Sequence, residues 1–337
     1  MVCPCAIMRP FFPMNEASAL EDKQPPSGRS GSWGALGDAA ALLALTFTWL
    51  GSLGQHHWLL DLVSHFRLQY LVAGVVVLIY AALRRRTWLV LMAVASLLWN
   101  GRVVASYHAT ARPVLAAAHK PLRVMTFNVM AGNPTQAAAI QHVLDADADI
   151  VCLLETSEGW RSSLAPLRSK YPHRVEELGD GFFSIACYTR LPVKSSEVRR
   201  YSLWALPVVL FNLDHHGAPL TFIGIHPDAP MAALYAREWR GQLSEIGSLV
   251  AEIPGAVIVA GDFNATPWCE GMRLLREKSG LDFHSVDPVW PPTWGLKLPM
   301  MIPIDHVLVK GGLTVQKRVI GPDLGSDHRP VLVEIVR

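Results

Sequence analysis

The chain has 337 residues, of which 51% are hydrophobic and 17% are charged. Soluble globular proteins carry about 25% charged residues, so this composition excludes a purely soluble class. From residue 120 onward, 21 Lys and Arg stand against 23 Asp and Glu, which argues against a protein that holds long nucleic acid on a basic surface.

The excess of apolar residues lies in the first third of the chain. Residues 1–32 are rich in Pro, Ser, Gly and charged residues, and we expect a flexible tail there. Residues 33–106 contain three apolar runs, at about 35–54, 67–83 and 87–104. A helix needs about 17–25 residues to span a bilayer, and these runs lack the polar face of a surface helix. The sequence therefore predicts a multi-pass membrane region of three transmembrane helices rather than three buried helices of a soluble domain.

Basic residues predict the orientation of these helices. Three arginines form the turn between the second and third runs: Arg84, Arg85 and Arg86. Short arginine-rich loops stay cytoplasmic, so the third helix leads outward through a linker at 107–119. The rest of the chain is then extracytoplasmic, and periplasmic in a bacterium, although Arg102 and Arg112 favour the opposite orientation. Three histidines fall between the first two runs and are expected in a solvated loop: His56, His57 and His65.

Residues 120–337 alternate strand-like and helix-like segments, which predicts one α/β domain. Helical spacing predicts helices at 135–146, 229–253 and 270–280. Six strand-like runs carry polar residues at one end: Asn128, Glu155, His226, Asp262 with Asn264, Asp305, and Asp327 with His328. A lone polar residue at a strand end usually closes a turn. Six in succession instead favour a ligand site, because such sites lie at strand ends in α/β sheets.

Six short motifs carry a resemblance to a known family. They are Thr-Phe-Asn (126–128), Leu-Leu-Glu (153–155), Ile-His-Pro (225–227), Gly-Asp-Phe-Asn (261–264), Ile-Asp-His-Val (304–307) and Ser-Asp-His-Arg-Pro (326–330). In this order they resemble the endonuclease/exonuclease/phosphatase superfamily over residues 120–337. The resemblance implies an α/β fold of two packed mixed β-sheets flanked by helices, a four-layer sandwich. Leu154 departs from the family, which often has Gln there, and no residue matches the active-site Tyr of abasic-site endonucleases well.

The resemblance also implies a divalent metal site. Glu155 would be the direct ligand of Mg²⁺, with Mn²⁺ as an alternative ion. Asn128 and Asp327 would complete or support the coordination. Hard cations of this kind prefer oxygen ligands, which all three residues supply.

The remaining motif residues would act on the phosphate and on water. By resemblance, Asp262 orients or deprotonates the attacking water, and Asn264 donates to a phosphate oxygen, as Asn128 also could. His328 would bind the phosphate or act as a base, with Asp305 orienting its ring. His226 would contact the phosphate or assist the leaving group.

Two neighbouring polar residues are assigned no part in this site. His306 follows Asp305 in a predicted strand, where successive side chains point to opposite faces, so it is interpreted as structural. Asp228 has no motif support and is expected at the surface.

These features together predict a membrane-anchored, Mg²⁺-dependent phosphoesterase that hydrolyses phosphodiesters, or phosphomonoesters, by metal-assisted attack of water. Two substrate classes stay open: DNA or RNA, and a phospholipid, sphingolipid or phosphoinositide. The anchor implies the lipid bilayer as a partner. A non-catalytic scaffold of the same fold is the alternative, and it predicts the loss of a metal-binding or water-activating residue, yet none is missing.

Overall fold

The structure is a computed structural model, and it describes residues 28–108, 120–179, 181–284, 286–287, 290–295 and 300–337. The predicted tail at 1–32, apart from its last residues, and the linker from residue 109 to 119 lie outside the described residues.

Four α-helices precede the sheets in the described part of the chain: α1 (Gly28–Leu50), α2 (Trp58–Ser64), α3 (Arg67–Leu83) and α4 (Thr87–Ala105). Among the described residues, two helical segments are long and apolar enough to cross a membrane, Trp33–Leu53 and Thr87–Ala105. Helix α3 has 17 residues, and together with α2 it forms a further candidate, in which the two helices are bent by 66° at the break between them. Of the three predicted transmembrane helices, the first and third are therefore long and apolar enough to span a membrane, and the second is one arm of a bent pair.

Apolar and small residues join these helices. Leu45, Val77 and Leu89 are buried on their facing sides, and Gly74 lets α3 approach α4, since a Cβ there would lie 2.9 Å from Leu97 Cδ2. Ser96 Oγ donates to Thr48 Oγ1 at 2.9 Å. Small residues and interhelical hydrogen bonds hold apolar helices together where the surroundings are as apolar as the contact between the helices.

Eleven strands follow within the described ranges, in chain order: β1 (Leu122–Asn128), β2 (Ile150–Leu154), β3 (His173–Glu177), β4 (Ile185–Thr189), β5 (Val193–Tyr201), β6 (Leu206–His215), β7 (Ala218–Ile225), β8 (Ala256–Asp262), β9 (Asp305–Lys310), β10 (Thr314–Ile320) and β11 (Val331–Val336). They form a six-stranded sheet of order β10-β11-β1-β2-β4-β3 and a five-stranded sheet of order β5-β6-β7-β8-β9. Both sheets are mixed, because β1 and β2 are parallel, as are β7 and β8, while the other neighbours are antiparallel.

The sheets pack face to face and carry helices on their outer faces: α5 (Gln136–Asp145), α6 (Ala165–Lys170), α7 (Ala233–Glu252) and α8 (Glu270–Ser279). Side chains of both sheets form the central core, α5 and α6 cover the six-stranded sheet, and α7 and α8 cover the five-stranded one. The predicted four-layer arrangement is confirmed. Helix α7 begins four residues later than predicted because Ala232 is extended, with φ −148°.

From Ala41 onward, the helices and the sheets pack within one compact unit, Ala41–Arg337. His65, at the corner between α2 and α3, accepts from Thr266 N at its Nδ1 (3.2 Å) and from Trp268 Nε1 at its backbone oxygen (3.2 Å). Asp61 forms an ion pair with Arg240 at 3.0 Å. The expectation that His65 lies in a solvated loop is wrong, since this docking buries it, whereas His56 and His57 are exposed.

Gly224 sets the spacing between the two sheets, and this leads to a stability prediction. A Cβ at this position would lie 2.7 Å from Cys187 Sγ and 3.1 Å from Cys152 Sγ, both on the opposite sheet. We expect Gly224→Ala to lower the free energy of unfolding by about 1–3 kcal/mol, as overpacking of a core does. Gly241→Ala is the matched control, because its Cβ meets nothing within 4 Å and alanine favours a helix over glycine by about 1 kcal/mol. Opposite shifts in the thermal midpoint are expected, and equal shifts would contradict the assigned sheet contact.

Candidate active site

Strand pairing brings the polar strand ends to one edge of the sandwich. Because β1 is parallel to β2 and β7 is parallel to β8, the carboxyl ends of each pair share an edge. Antiparallel β9 begins where β8 ends, so that Asp262 and Asp305 are register partners. The residues before β11 likewise lie beside the end of β1. Ligand sites of α/β sheets occupy such an edge.

Asn128 links the residues of both sheets. Its Nδ2 donates to Glu155 Oε1 at 2.9 Å and to Asp262 Oδ2 at 3.2 Å, and it lies 3.4 Å from His328 Nε2. Asn128 is 1% exposed, whereas Glu155 is partly exposed and so faces the open side. The predicted convergence of these four residues is what the structure shows.

His328 lies between two carboxylates. Its Nδ1 is 2.9 Å from Asp305 Oδ2, and its Nε2 is 3.5 Å from Asp262 Oδ2. Burial lowers the pKa of His328, but the charges of Asp305 and Asp262 outweigh burial and raise the pKa to about 10. The imidazole is therefore protonated at neutral pH, and both ring nitrogens are donors.

Asp262 is ionised in the same pocket. Burial raises its pKa, but His328, His226 and a hydrogen bond from Asn264 N lower the pKa to about 2. His226 Nε2 lies 3.5 Å from Asp262 Oδ2, so two imidazoles converge on one carboxylate oxygen. Such a convergence can hold an anionic group and a water molecule side by side.

Asn264 and Asp327 make contacts that differ from their expected roles. Asn264 donates its backbone N–H to Asp262 Oδ1 at 2.8 Å and its side-chain Nδ2 to Pro227 O at 3.0 Å. Asp327 Oδ2 accepts from Trp294 Nε1 at 3.0 Å. Both residues lie at the site, and in this structure their side chains bond to the neighbouring loops that contain Pro227 and Trp294.

The backbone is strained beside the site. Residues there without the freedom of glycine have positive φ: Met130 at 62°, Glu155 at 58° and Asn264 at 50°. Asparagine tolerates this region, but glutamate and methionine do so at a cost of about 1 kcal/mol or more each. Strain of this kind persists where surrounding contacts fix a functional side chain, here Glu155 through Asn128 Nδ2 and Ala131 N.

Two residues that support the site were assigned no role from the sequence. Thr293 Oγ1 accepts from Ile304 N and Asp305 N, each at 3.0 Å, and Ser326 Oγ donates to Asn128 O at 2.7 Å. Thr293 belongs to a proline-rich loop without a recognisable motif, whereas Ser326 begins the last motif and could have been found there.

Asp228 corrects an expectation. It was expected at the surface but is fully buried, two residues beyond His226. Burial and the nearby Glu238 raise its pKa to about 6. His306, by contrast, was assigned correctly as structural, since it faces away from Asp305 and lies 2.8 Å from Ala265 O through Nε2.

The oxygen-rich part of the pocket fits a hard divalent cation. Asp262, Asp305 and His328 offer ligand atoms within 4.8 Å of one another, but a protonated His328 has no lone pair to give a metal. Glu155 has carboxylate oxygens on the accessible side of the pocket, and Asn128 and Asp262 adjoin it. Carboxylate oxygens suit Mg²⁺ or Mn²⁺. Asn128 turns its Nδ2 toward Glu155 and its Oδ1 toward Met130 N, so in this arrangement it supports Glu155.

Fold and site together define a class: a two-sheet α/β sandwich with its acidic and imidazole residues collected at one edge. Residues 125–328 match the model of the "Endonuclease/Exonuclease/phosphatase family". The chain belongs to this family.

Relatives of the chain are bacterial. It is similar to a UPF0294 protein of Vibrio vulnificus, with 35% identity over 164 residues, 48% of this chain and 50% of that protein. A UPF0294 protein of Yersinia enterocolitica is 28% identical over 227 residues, 63% of this chain and 83% of that protein. The chain thus matches about half the length of the Vibrio vulnificus proteins.

Solved structures agree on the fold. The D. rerio TDP2 structure complexed with a single strand DNA product has a TM-score of 0.54 at 17% identity, and the similarity covers 65% of this chain and 100% of that one. Truncated Caenorhabditis elegans TDP2 has a TM-score of 0.52 at 16% identity, covering 64% of this chain and 97% of that one. The predicted fold is confirmed by this similarity.

Proposed function

We propose that the protein is a membrane-anchored, Mg²⁺-dependent phosphodiesterase. The observation that carries this proposal is the convergence of Asn128, Glu155, Asp262 and His328 from both sheets into one pocket. The family match over residues 125–328 supports the same activity. No predicted residue of the site is missing, which disfavours a non-catalytic scaffold.

Each residue of the pocket has a proposed part in the reaction. Glu155 would hold the metal, with support from Asn128 and Asp327, and a divalent ion there would supply positive charge for the phosphate oxygens. The ionised Asp262 accepts a hydrogen bond from the attacking water, orients it toward phosphorus and takes its proton as the new P–O bond forms. Protonated His328, which Asp305 orients, donates to a non-bridging oxygen rather than acting as a base.

The leaving oxygen needs a proton as its bond to phosphorus breaks. His226 lies on the other side of Asp262 Oδ2 at 3.5 Å, and its ring contacts that of Phe183 with centroids 5.6 Å apart. We assign to it the contact with the leaving group. Asn264 contributes through its backbone bond to Asp262 and through its position beside the phosphate.

Membrane anchoring is supported by the outer faces of the helices. Exposed side chains on α3 and α4 are large and apolar, with Val72 66% and Leu98 70% exposed. Water would not favour such faces, while lipid tails would. Arg84, Arg85 and Arg86 form the turn between α3 and α4. The catalytic region, residues 120–337, therefore lies on the extracytoplasmic side, which is the periplasm in a bacterium.

The environment of the site favours a lipid phosphodiester over nucleic acid. Gln69 of α3 donates to Met301 O at 2.9 Å, a few residues before Asp305, so the helices adjoin the catalytic edge. Apolar side chains are exposed in segments near His226: Phe182 at 67% and Met231 at 71%. The catalytic region lacks a net basic charge, which binding to long nucleic acid normally requires.

Full-length protein in detergent tests the activity and the substrate class. We expect turnover of bis-p-nitrophenyl phosphate and of phospholipid in mixed micelles with Mg²⁺ or Mn²⁺, and loss of both with EDTA. Plasmid and single-stranded DNA are the competing substrates. Cleavage of DNA without lipid turnover would favour a nuclease, and no metal-dependent turnover of any substrate would refute the proposal.

The assignment of Glu155 as a metal ligand predicts that its substitution changes the metal dependence of the activity. We expect Glu155→Gln to raise the Mg²⁺ concentration for half-maximal activity by about 10–100-fold or more, because the loss of supporting contacts alone has an effect of that size. Glu158→Gln is the control, since Glu158 is an exposed glutamate paired with Arg161 at 2.7 Å. Equal metal dependence of the two variants would contradict the assignment.

The orientation predicts the result of reporter fusions. Alkaline phosphatase fused after Lys120 is expected to be active, because this enzyme needs export to form its disulfides. β-Galactosidase fused at the same residue is expected to be inactive. The reverse pattern would place the catalytic region in the cytoplasm.

A further inference from the structure

A cavity of about 430 Å³ lies where the helical region meets the catalytic region. Its walls include the 3₁₀ helix Gly51–Leu53 that follows α1, the ends of α3 and α4 that face the catalytic region, and the first turn of α8. Its volume falls in the range of about 300–1,000 Å³ typical of small-molecule sites. None of the predicted active-site residues lines it, so the cavity is distinct from the catalytic pocket.

Arg67 is the central charge of this cavity. It is 4% exposed, and among the described residues its terminal nitrogens donate to neutral oxygens, including Asn100 Oδ1 at 3.1 Å and Gly51 O at 3.1 Å. Its Nε has no hydrogen-bond partner among the described residues. A buried charge is costly unless an opposite charge compensates it, and in the part of the chain that the structure describes no carboxylate pairs with Arg67.

The carboxylates of the cavity are already engaged. Asp61 pairs with Arg240 at 3.0 Å, and Glu270 pairs with Arg273 at 2.7 Å. Arg102 lines the cavity without any ion pair in the described part of the chain. The guanidinium groups of Arg67 and Arg102 are thus left without a counter-charge from any described residue.

The cavity opens at the end of the α3–α4 hairpin that faces the sheets. Arg67 begins α3 and Arg102 lies in the last turn of α4, at the end of the hairpin opposite to the turn at Arg84–Arg86. Gln55 and Ser106 line the cavity and are exposed, so it reaches the surface. Lipid headgroups lie at this depth if the helices span a bilayer as proposed above.

We propose that this cavity binds a phosphate-bearing anion through Arg67 and Arg102, either a phospholipid headgroup or a free phosphate group. Arg102 can form paired hydrogen bonds to phosphate oxygens through its N–H groups. The terminal nitrogens of Arg67 already donate to protein oxygens, so Arg67 would contribute its charge and its Nε–H, which has no partner among the described residues. The proposal that the anion is a lipid headgroup rests on the proposed membrane anchoring, whereas anion binding by Arg67 and Arg102 does not. Bound there, the anion would supply the counter-charge that Arg67 and Arg102 lack, and so join the ends of α3 and α4 that line the cavity.

Ligand titrations of the full-length protein in detergent test the site. EDTA is present throughout, so that binding is measured without turnover, and the probes are dihexanoyl phosphatidylglycerol, inorganic phosphate and dihexanoylglycerol. We expect saturable binding of phosphatidylglycerol by native mass spectrometry and a raised thermal midpoint, with no effect of dihexanoylglycerol. Phosphatidylglycerol binding alone identifies the headgroup, and equal binding of inorganic phosphate identifies a free anion.

Variants separate this cavity from the catalytic pocket. We expect Arg67→Gln and Arg102→Gln each to weaken binding about tenfold, the loss typical of one charge-assisted hydrogen bond. Arg84→Gln, at the other end of the same hairpin, is the matched control and should bind normally. The side chain of Arg102 makes no ion pair with any described residue, so its variant remains informative if Arg67→Gln misfolds.

Absence of saturable binding of both phosphate probes, or normal binding by Arg102→Gln, would overturn the proposal. Because turnover is not the readout, a protein that binds through Arg102 but hydrolyses no substrate would refute the proposed activity and leave this site standing.

Discussion

Asp262→Asn is expected to lower kcat for bis-p-nitrophenyl phosphate by about 10³-fold or more, the size of effect that general-base and metal-assisted contributions reach together. The substituted amide would keep an oxygen for the N–H of Asn264, which now bonds Asp262 Oδ1 at 2.8 Å. It would lose the negative charge on which His226 and His328 converge. The loss should therefore fall on the reaction and not on the fold.

Asp214→Asn provides the matched control for this variant. Asp214 is also an aspartate of the five-stranded sheet that accepts a backbone N–H, from Gly217 at 2.7 Å, but it lies in β6, outside the site. Steady-state kinetics and thermal midpoints of both variants are to be compared with the parent protein. If Asp262→Asn kept a tenth of the parent kcat, Asp262 would not orient the attacking water.

Asp305→Asn has the second largest expected effect, a fall in kcat of about 10²–10⁴-fold, as is found when a carboxylate behind a catalytic histidine is neutralised. The Asp305 carboxylate lies 2.9 Å from His328 Nδ1 and is the main charge that raises the pKa of His328. Without it, the pKa of His328 falls and the ring loses its proton near neutral pH. The alkaline limb of the kcat/KM profile should therefore move to lower pH.

The free energy of unfolding should also fall as the pH rises, because His328 loses its proton. The pKa of His328 is about 10 in the folded protein and about 6.5 in an unfolded chain. A raised pKa contributes stability that is complete below about pH 6.5 and is lost as the pH rises through about 10. The thermal midpoint of the parent protein should fall over this range, and that of Asp305→Asn should fall less.

A second aspartate–histidine pair supplies the control. Asp282 Oδ1 lies 2.5 Å from His284 Nδ1, and His284 is exposed. Asp282→Asn should leave both the kcat/KM profile and the pH dependence of the thermal midpoint unchanged. Identical pH profiles for Asp305→Asn and the parent protein would show that His328 owes its proton to another group.

Local patterns were sufficient to predict much of the fold and the site. The apolar runs that precede Asn128, Glu155 and Asp262 are strands buried on both faces, and such strands read as continuous apolar sequence. Alternation along β9 correctly separated Asp305 from His306. These predictions depended on residues within a few positions of one another.

Tertiary contacts explain what the sequence could not predict. The 66° bend between α2 and α3 lies at His65, which bonds to Thr266 and Trp268, about 200 positions away in the chain. Asp228 is buried by packing against segments that no local pattern identifies. The partner of Asp327, Trp294, lies in a loop whose course depends on the finished sheet.

The contact of His65 with the catalytic region has a practical consequence for biochemical work. In the segment after Asp262, the Thr266 amide and the Trp268 indole donate to the ring nitrogen and the backbone oxygen of His65, between α2 and α3. An enzyme preparation trimmed to its last two thirds would leave the Thr266 amide and the Trp268 indole in water. Rate constants measured on such a fragment would then describe a catalytic loop released from its support.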